Sequence, residues 1–146
     1  MQNVDFRDGK LRFRLPKRWT AEYLQDGGAI FREPEGVGVL FLNTIEVEAP
    51  EGANETHAFD FLANHSGHEG REILQLKNGN SLVTYVEHNS DLVAFGWEIA
   101  HAIPPNKIRL AAFTFTVKVE ASQEKKIVDI VTMLTQEIAS ASFGKS

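Results

Sequence analysis

Five histidines and one oddly placed glutamate are the side chains in this chain that invite chemistry. His57, Asp60, His65 and His68 crowd together, and imidazole with carboxylate is a common donor set for a transition metal. Their spacing argues otherwise. Two ligands on one helix face want a separation of four residues. The eight residues from His57 to His65 drift about 80° around a helix. Gly67 then separates His65 from His68. The group, with His88, reads as solvent-facing histidines, and neither a metal nor a cofactor is expected. Glu98 stands between Gly96 and Ala100 on a face that is otherwise small and apolar. It is either a buried acid with a raised pKa, suited to proton transfer, or a carboxylate at a sheet edge or groove where its neighbours leave room. The second reading is favoured. An acid–base pair would need His65 or His101 within hydrogen-bond reach, and in an ideal strand Glu98 and His101 point to opposite faces.

Other catalytic signatures are missing from the sequence. Ser66, Ser81 and Ser90 lack a Gly-x-Ser-x-Gly elbow. Gly27-Gly28 and Gly36-x-Gly38 lack the residues that complete a phosphate loop. With no cysteine, thiol catalysis, thiolate metal sites and disulfides are excluded together. No enzymatic activity is expected. The aromatics are the remaining lead: Trp19, Tyr23, Phe31, Phe41, Tyr85, Phe95 and Trp97. Most of them should line a core. Trp19 and Tyr23 follow a strand in an irregular stretch, and exposed aromatics there would form a protein-binding patch. The small residues Gly96, Ala100, Ala102, Ala111 and Ala112 would let a partner approach a sheet face near Trp97 and Glu98. The candidate partner-binding residues are therefore Trp19, Tyr23, Trp97 and Glu98.

The elements that must position these residues follow from periodicity and breakers. Leu11, Phe13 and Leu15 alternate with Arg12 and Arg14, the pattern of a half-buried strand ended by Pro16. Short strands are expected over 29–32 and 37–49, separated by Glu33-Pro34-Glu35-Gly36. A helix is expected over 55–65, capped by Asn54, with Ala58, Phe61, Leu62 and His65 as its inner stripe. Asn78-Gly79 is the strongest hairpin signal, between strands 71–77 and 81–87. Strands 92–103 and 108–119 follow, turned by Pro104-Pro105-Asn106. A closing helix is expected from Ser122, as its cap, to Phe143, with Ile127, Val131, Leu134, Ile138 and Ala141 facing inward and Gly144 as its stop. The element order is β-β-β-α-β-β-β-β-α. It predicts an α+β domain over 1–146, with an antiparallel sheet of six to seven strands flanked by two main helices.

Bulk properties narrow the partners. The net charge is −5 and the lysines and arginines are scattered, which argues against a nucleic-acid surface. No apolar run reaches the ~18 residues of a membrane span. Met1 to Asp8 lacks the pattern of a signal peptide, so a cytoplasmic location is expected and the Asn54 and Asn64 sequons carry no glycosylation meaning.

A strand ending in Leu15-Pro16, Trp19 three residues on, a mid-chain helix, a four-strand meander and a final amphipathic helix ending near Phe143 together resemble the Mog1/PsbP-like superfamily, which includes DcrB-type domains. The resemblance covers almost the whole chain in element order. It implies an α/β/α sandwich and a non-enzymatic, partner-binding role. Members include a Ran-binding nuclear factor, a photosystem assembly subunit and bacterial chaperones for secreted toxic effectors. No functional residue of any branch matches a position here. The resulting expectation is a bacterial cytoplasmic module that binds another protein, as adaptor, chaperone or immunity protein for an effector or toxin. The alternative is a small-molecule or lipid binder using the sheet face near Gly96, Trp97 and Glu98. A homodimer through a sheet face or edge is compatible with either.

Overall fold

A computed structural model describes every residue of the chain except 66, 69 and 146, so Ser66 lies outside the described residues. Seven strands form the main sheet: β3 (Thr20–Tyr23), β4 (Ala29–Arg32), β5 (Val39–Glu48), β6 (Leu74–Gln75), β7 (Ser81–His88), β8 (Leu92–Ile103) and β9 (Lys107–Lys118). Their order is β3-β4-β5-β9-β8-β7-β6, and every neighbouring pair is antiparallel. Two helices, α1 (Glu55–Asn64) and α2 (Lys125–Ala139), pack on opposite faces. A second sheet of three strands, β1 (Gln2–Phe6), β2 (Leu11–Leu15) and β10 (Ser142–Phe143), is ordered β1-β2-β10 and shares the α2 side. The mixed architecture, the antiparallel sheet and the two flanking helices are those expected from the sequence.

The α2 side holds the larger core. Leu40 and Leu42 of β5, Trp97 and Ile99 of β8, and Phe113 and Phe115 of β9 face Leu11, Phe13 and Leu15 of β2 and Ile127, Leu134 and Ile138 of α2. Phe13 stands edge-on to both Phe31 and Phe113, with centroids 5.6 and 5.3 Å apart, a favoured arrangement for aromatic quadrupoles. On the other face, Ala58 and Leu62 of α1 cover Val83, Ala100, Ile108 and Leu110. Asn54 caps α1 as expected, accepting from the Thr56 and His57 amides. His57 Nδ1 accepts from the Asn54 amide in return, so an imidazole closes the capping box.

Four segments depart from expectation. Gln2–Phe6, for which no element was expected, is strand β1. Thr20–Tyr23 is a strand rather than an irregular stretch. All four of its residues are exposed, so it carries no burial period to read. The run expected at 71–77 is a strand only over Leu74–Gln75. The closing helix is shorter at both ends. A 3-10 turn occupies Val119–Ala121, Ser122 Oγ donates to the Val119 carbonyl rather than capping α2, and Glu124 is the N-cap. After Ala139 the chain leaves the helix, and Phe143 pairs with Leu11 in β10. Gly144 is no helix stop: its amide donates to the Lys10 carbonyl.

The Asn78-Gly79 turn forms the expected β6–β7 hairpin, with Gly79 at φ 91°, and it also terminates α2. Asn78 Nδ2 donates to the Ala139 carbonyl at 2.8 Å, and Asn80 Nδ2 to the Ala141 carbonyl at 2.8 Å. His101 donates from Nδ1 to Asn80 Oδ1 at 2.8 Å, and its ring lies flat on Phe143 at 5.2 Å. Burial lowers the His101 pKa from its ordinary 6.5, against an opposing pull from Glu55, and Arg109 adds to the lowering. Protonation is then easier in the unfolded chain than in the folded one. The His101 contribution to stability is complete above about pH 6.5 and falls as pH drops through its folded pKa. Urea melts between about pH 7.5 and about pH 5.5 should show this loss, and His101→Gln should flatten that part of the profile. An unchanged slope in the variant would assign the acid sensitivity to other groups.

Candidate functional site

A helix about 10 Å across covers about two strands spaced ~4.8 Å apart. Helix α1 is ten residues long and lies over β7, β8 and the near part of β9. The rest of that face has no covering layer among the described residues. Registered pairs place Tyr85, Gly96, Thr114 and Phe41 in one row across it, and Glu98, Ala112 and Asn43 in the next. Phe41 and Ile45 of β5 are each 47% exposed there. The surface is flat and mixed, with two apolar ridges from β5 beside the small side chains Ala112, Thr114 and Ala94.

Where this open strip meets the C-terminal end of α1, five polar side chains converge. Glu98 is 8% exposed. Its Oε1 accepts from His68 Nε2 at 3.0 Å and lies 3.7 Å from His65 Nε2. Its Oε2 accepts from the Tyr85 hydroxyl at 3.3 Å, long for a hydroxyl bond. Arg71 Nη1 donates to His68 Nδ1 at 3.2 Å, and its guanidinium lies 4.5 Å above the Tyr85 ring. An arginine only donates, so His68 Nδ1 carries a lone pair and His68 is the neutral tautomer with its proton on Nε2. Burial, and then the Glu98 carboxylate beside it, push the Tyr85 pKa up to about 12, so Tyr85 stays a phenol donor. Gly96 makes the arrangement possible, because a side chain there would meet the Tyr85 ring at 2.3 Å. An aromatic ring laid over a facing glycine is a known device of paired strands.

The sequence-expected candidates separate. Trp19 is 6% exposed and packs at 6.0 Å from Phe115, so it is core rather than an exposed patch. Its strand neighbours place it against the larger core, a burial that the irregular reading of 16–23 could not anticipate. Tyr23 is 58% exposed on the edge strand β3. Trp97 faces α2, is buried, and donates from Nε1 to Thr135 Oγ1 at 2.9 Å. Glu98 points to the opposite face, so Trp97 and Glu98 share no surface. Glu98 and His101 do point apart, as expected of an ideal strand.

The histidines need a matching correction. His68, expected at the surface, is 3% exposed and bonded to Glu98. His65 and Glu98 come together, but the closer partner, His68, was missed. So were Tyr85 and Arg71. Tyr85 facing Gly96 across a strand pair was a readable signal; His68 and Arg71, in an irregular segment, carried none. Among the described residues no group of three or more His, Asp and Glu side chains is arranged to hold a metal ion. No described helix is long and apolar enough to cross a membrane.

No protein-family model matches the chain, and no curated protein matches it. A crystal structure of a protein from Bacteroides thetaiotaomicron VPI-5482, determined at 1.50 Å, is similar in fold, with a TM-score of 0.59 at 11% sequence identity. The match covers 99% of this chain and 48% of that one, so this chain spans about half the length of its structural neighbour. At that identity the likeness is one of fold.

Proposed function

We propose that this protein is a non-enzymatic binding module that takes an amphipathic helix of another protein on the open half of its α1-side sheet face. The observation that carries this reading is the incomplete helical layer. One face of the sheet is covered by α2 and the small sheet. On the other, α1 leaves a strip over β5 and β9 as wide as one more helix, with Phe41 and Ile45 exposed. Sheets in layered α+β domains are covered by helices, and the strip has the apolar ridges a helix face would cover. The resemblance noted from the sequence supports a bacterial cytoplasmic adaptor, chaperone or immunity protein for an effector or toxin as the concrete form of this role. The lipid or small-molecule reading is weaker. The cavity beside Glu98, where that reading places its ligand, is about 240 Å³, below the ~300–1,000 Å³ of typical small-molecule sites.

A photo-reactive amino acid placed at position 41 or 45 should cross-link, in the native host, to a helical segment of one partner. The same label at the exposed Val128 of α2 should not. Equal cross-linking from position 128, or products only with a second copy of this chain, would overturn the reading.

A further inference from the structure

Glu98 is a buried carboxylate whose two hydrogen-bond donors are both neutral, with His65 Nε2 3.7 Å from the oxygen that His68 already occupies. His68 donates to it as a neutral imidazole, because Arg71 occupies its other nitrogen, and Tyr85 donates as a phenol. The Arg71 cation is one residue removed, reaching Glu98 only through His68 and the Tyr85 ring. Buried charges are stable when paired with a charge of the other sign, and a carboxylate offers about four acceptor positions. Two are used here. The carboxylate lines a cavity of about 240 Å³ together with Asn43, Ile45, His65, Leu110 and Ala112. Helix α1 ends at this cavity, and no basic residue stands in its last turn. The negative end of the helix dipole therefore adds to the Glu98 charge. The space holds about eight water volumes at ~30 Å³ each, enough for a short alkyl chain with a charged head.

We propose that this notch is a recognition site for an alkylammonium or alkylguanidinium group, with Glu98 as the charged acceptor and Ile45, Leu110 and Ala112 packing on the alkyl stem. The cation displaces water from the mouth and pairs with the free side of the carboxylate, while His68, Tyr85 and Arg71 hold that carboxylate in place. If the open-face reading above is right, the cation is a lysine or arginine side chain of the docked helix. Binding of the group itself does not depend on that reading.

The test is heteronuclear NMR of the whole chain during titration with n-butylammonium chloride, with butan-1-ol and sodium chloride as controls. Saturable shifts at Ile45, His65, Glu98 and Ala112, seen with the ammonium and with neither control, are expected. They should vanish in Glu98→Gln. They should also vanish in Asn43→Lys, which keeps Glu98 and supplies a tethered ammonium from two strands away in the same row. This second variant keeps the test decisive if the first is poorly folded. Shifts reproduced by sodium chloride, or retained in both variants, would overturn the proposal. A model amphipathic helix with one lysine on its apolar face, compared with its norleucine counterpart, separates the sources. Lysine-dependent binding supports a protein side chain. Binding of the free amine without lysine-dependent peptide binding supports a small amine and counts against the open-face reading alone. Binding of neither overturns the site.

Discussion

Arg109→Ala should cost about 2–4 kcal/mol of stability, because two carbonyls lose their buried donor at ~1–3 kcal/mol each. That is a large share of the ~5–15 kcal/mol by which a domain is held folded. Arg109 is fully buried, in register between Glu46 of β5 and His101 of β8. Its Nη2 and Nε reach Glu46 Oε2 at 3.1 and 3.3 Å. Its Nη1 reaches the Lys10 carbonyl at 2.8 Å and the Gly144 carbonyl at 2.9 Å. One side chain thus ties the main sheet to the β1–β2 turn and to the segment after β10. Burial raises the pKa of Glu46, but the hydrogen bond and charge of Arg109 outweigh it and leave the carboxyl below its ordinary value. Alanine would strand two carbonyls, while Glu46, its side chain 29% exposed, would keep water as a partner. Arg109→Lys should recover little, since an ammonium cannot span the same fork of acceptors. Denaturant melts of the two variants test this. A loss under about 1 kcal/mol for Arg109→Ala would mean that the carbonyls find other donors.

The second large effect is expected at Asn80. This side chain is 1% exposed, donates to the Ala141 carbonyl and accepts from His101. Asn80→Ala leaves a buried acceptor and a buried donor unpaired, at ~1–3 kcal/mol each when no substitute forms. A loss of about 2–4 kcal/mol should follow, together with faster amide exchange over the last turn of α2 and β10. Asn80→Asp separates the two roles. It keeps an acceptor for His101 but turns an oxygen toward helix-terminal carbonyls, so it should be at least as damaging as alanine. Exchange confined to the β6–β7 turn, with α2 untouched, would show that the hairpin does not hold the helix.

The parts of the fold legible in the sequence are those with enough repeats of a period. The α2 stripe of Ile127, Leu134 and Ile138 is buried as expected. So is the alternation of Leu11, Phe13 and Leu15, and the Asn54 cap and the Asn78-Gly79 turn fall where they should. The misses have physical causes. In β1 only Val4 and Phe6 are buried within five residues, too short a run to separate from chance. The 3-10 turn before α2 and the strand after it continue the helical stripe in sequence but not in backbone. Arg109 falls in the apolar phase of its strand with Ala111 and Phe113, and an arginine in that phase was the overlooked sign of a buried ion pair. Of the site, Glu98 stood out because its neighbours are small. His68 could not, because burial of a side chain in an irregular segment depends on tertiary contacts that no local pattern records.

The pairing of β2 with both β1 and β10 has a consequence for how the molecule is made. Leu11 and Arg12 are synthesised early, yet their partners Phe143 and Ser142 leave the ribosome some 130 residues later. Arg109 likewise needs a carbonyl from each end of that interval. Contacts so distant in sequence are slow to form, because the loop between them must close first. During translation the β1–β2 hairpin must therefore wait with one edge and the apolar face of Leu11, Phe13 and Leu15 uncovered. That nascent interval is when this chain has the greatest use for a holding chaperone, and when a strand from a neighbouring polysome could take the place reserved for β10.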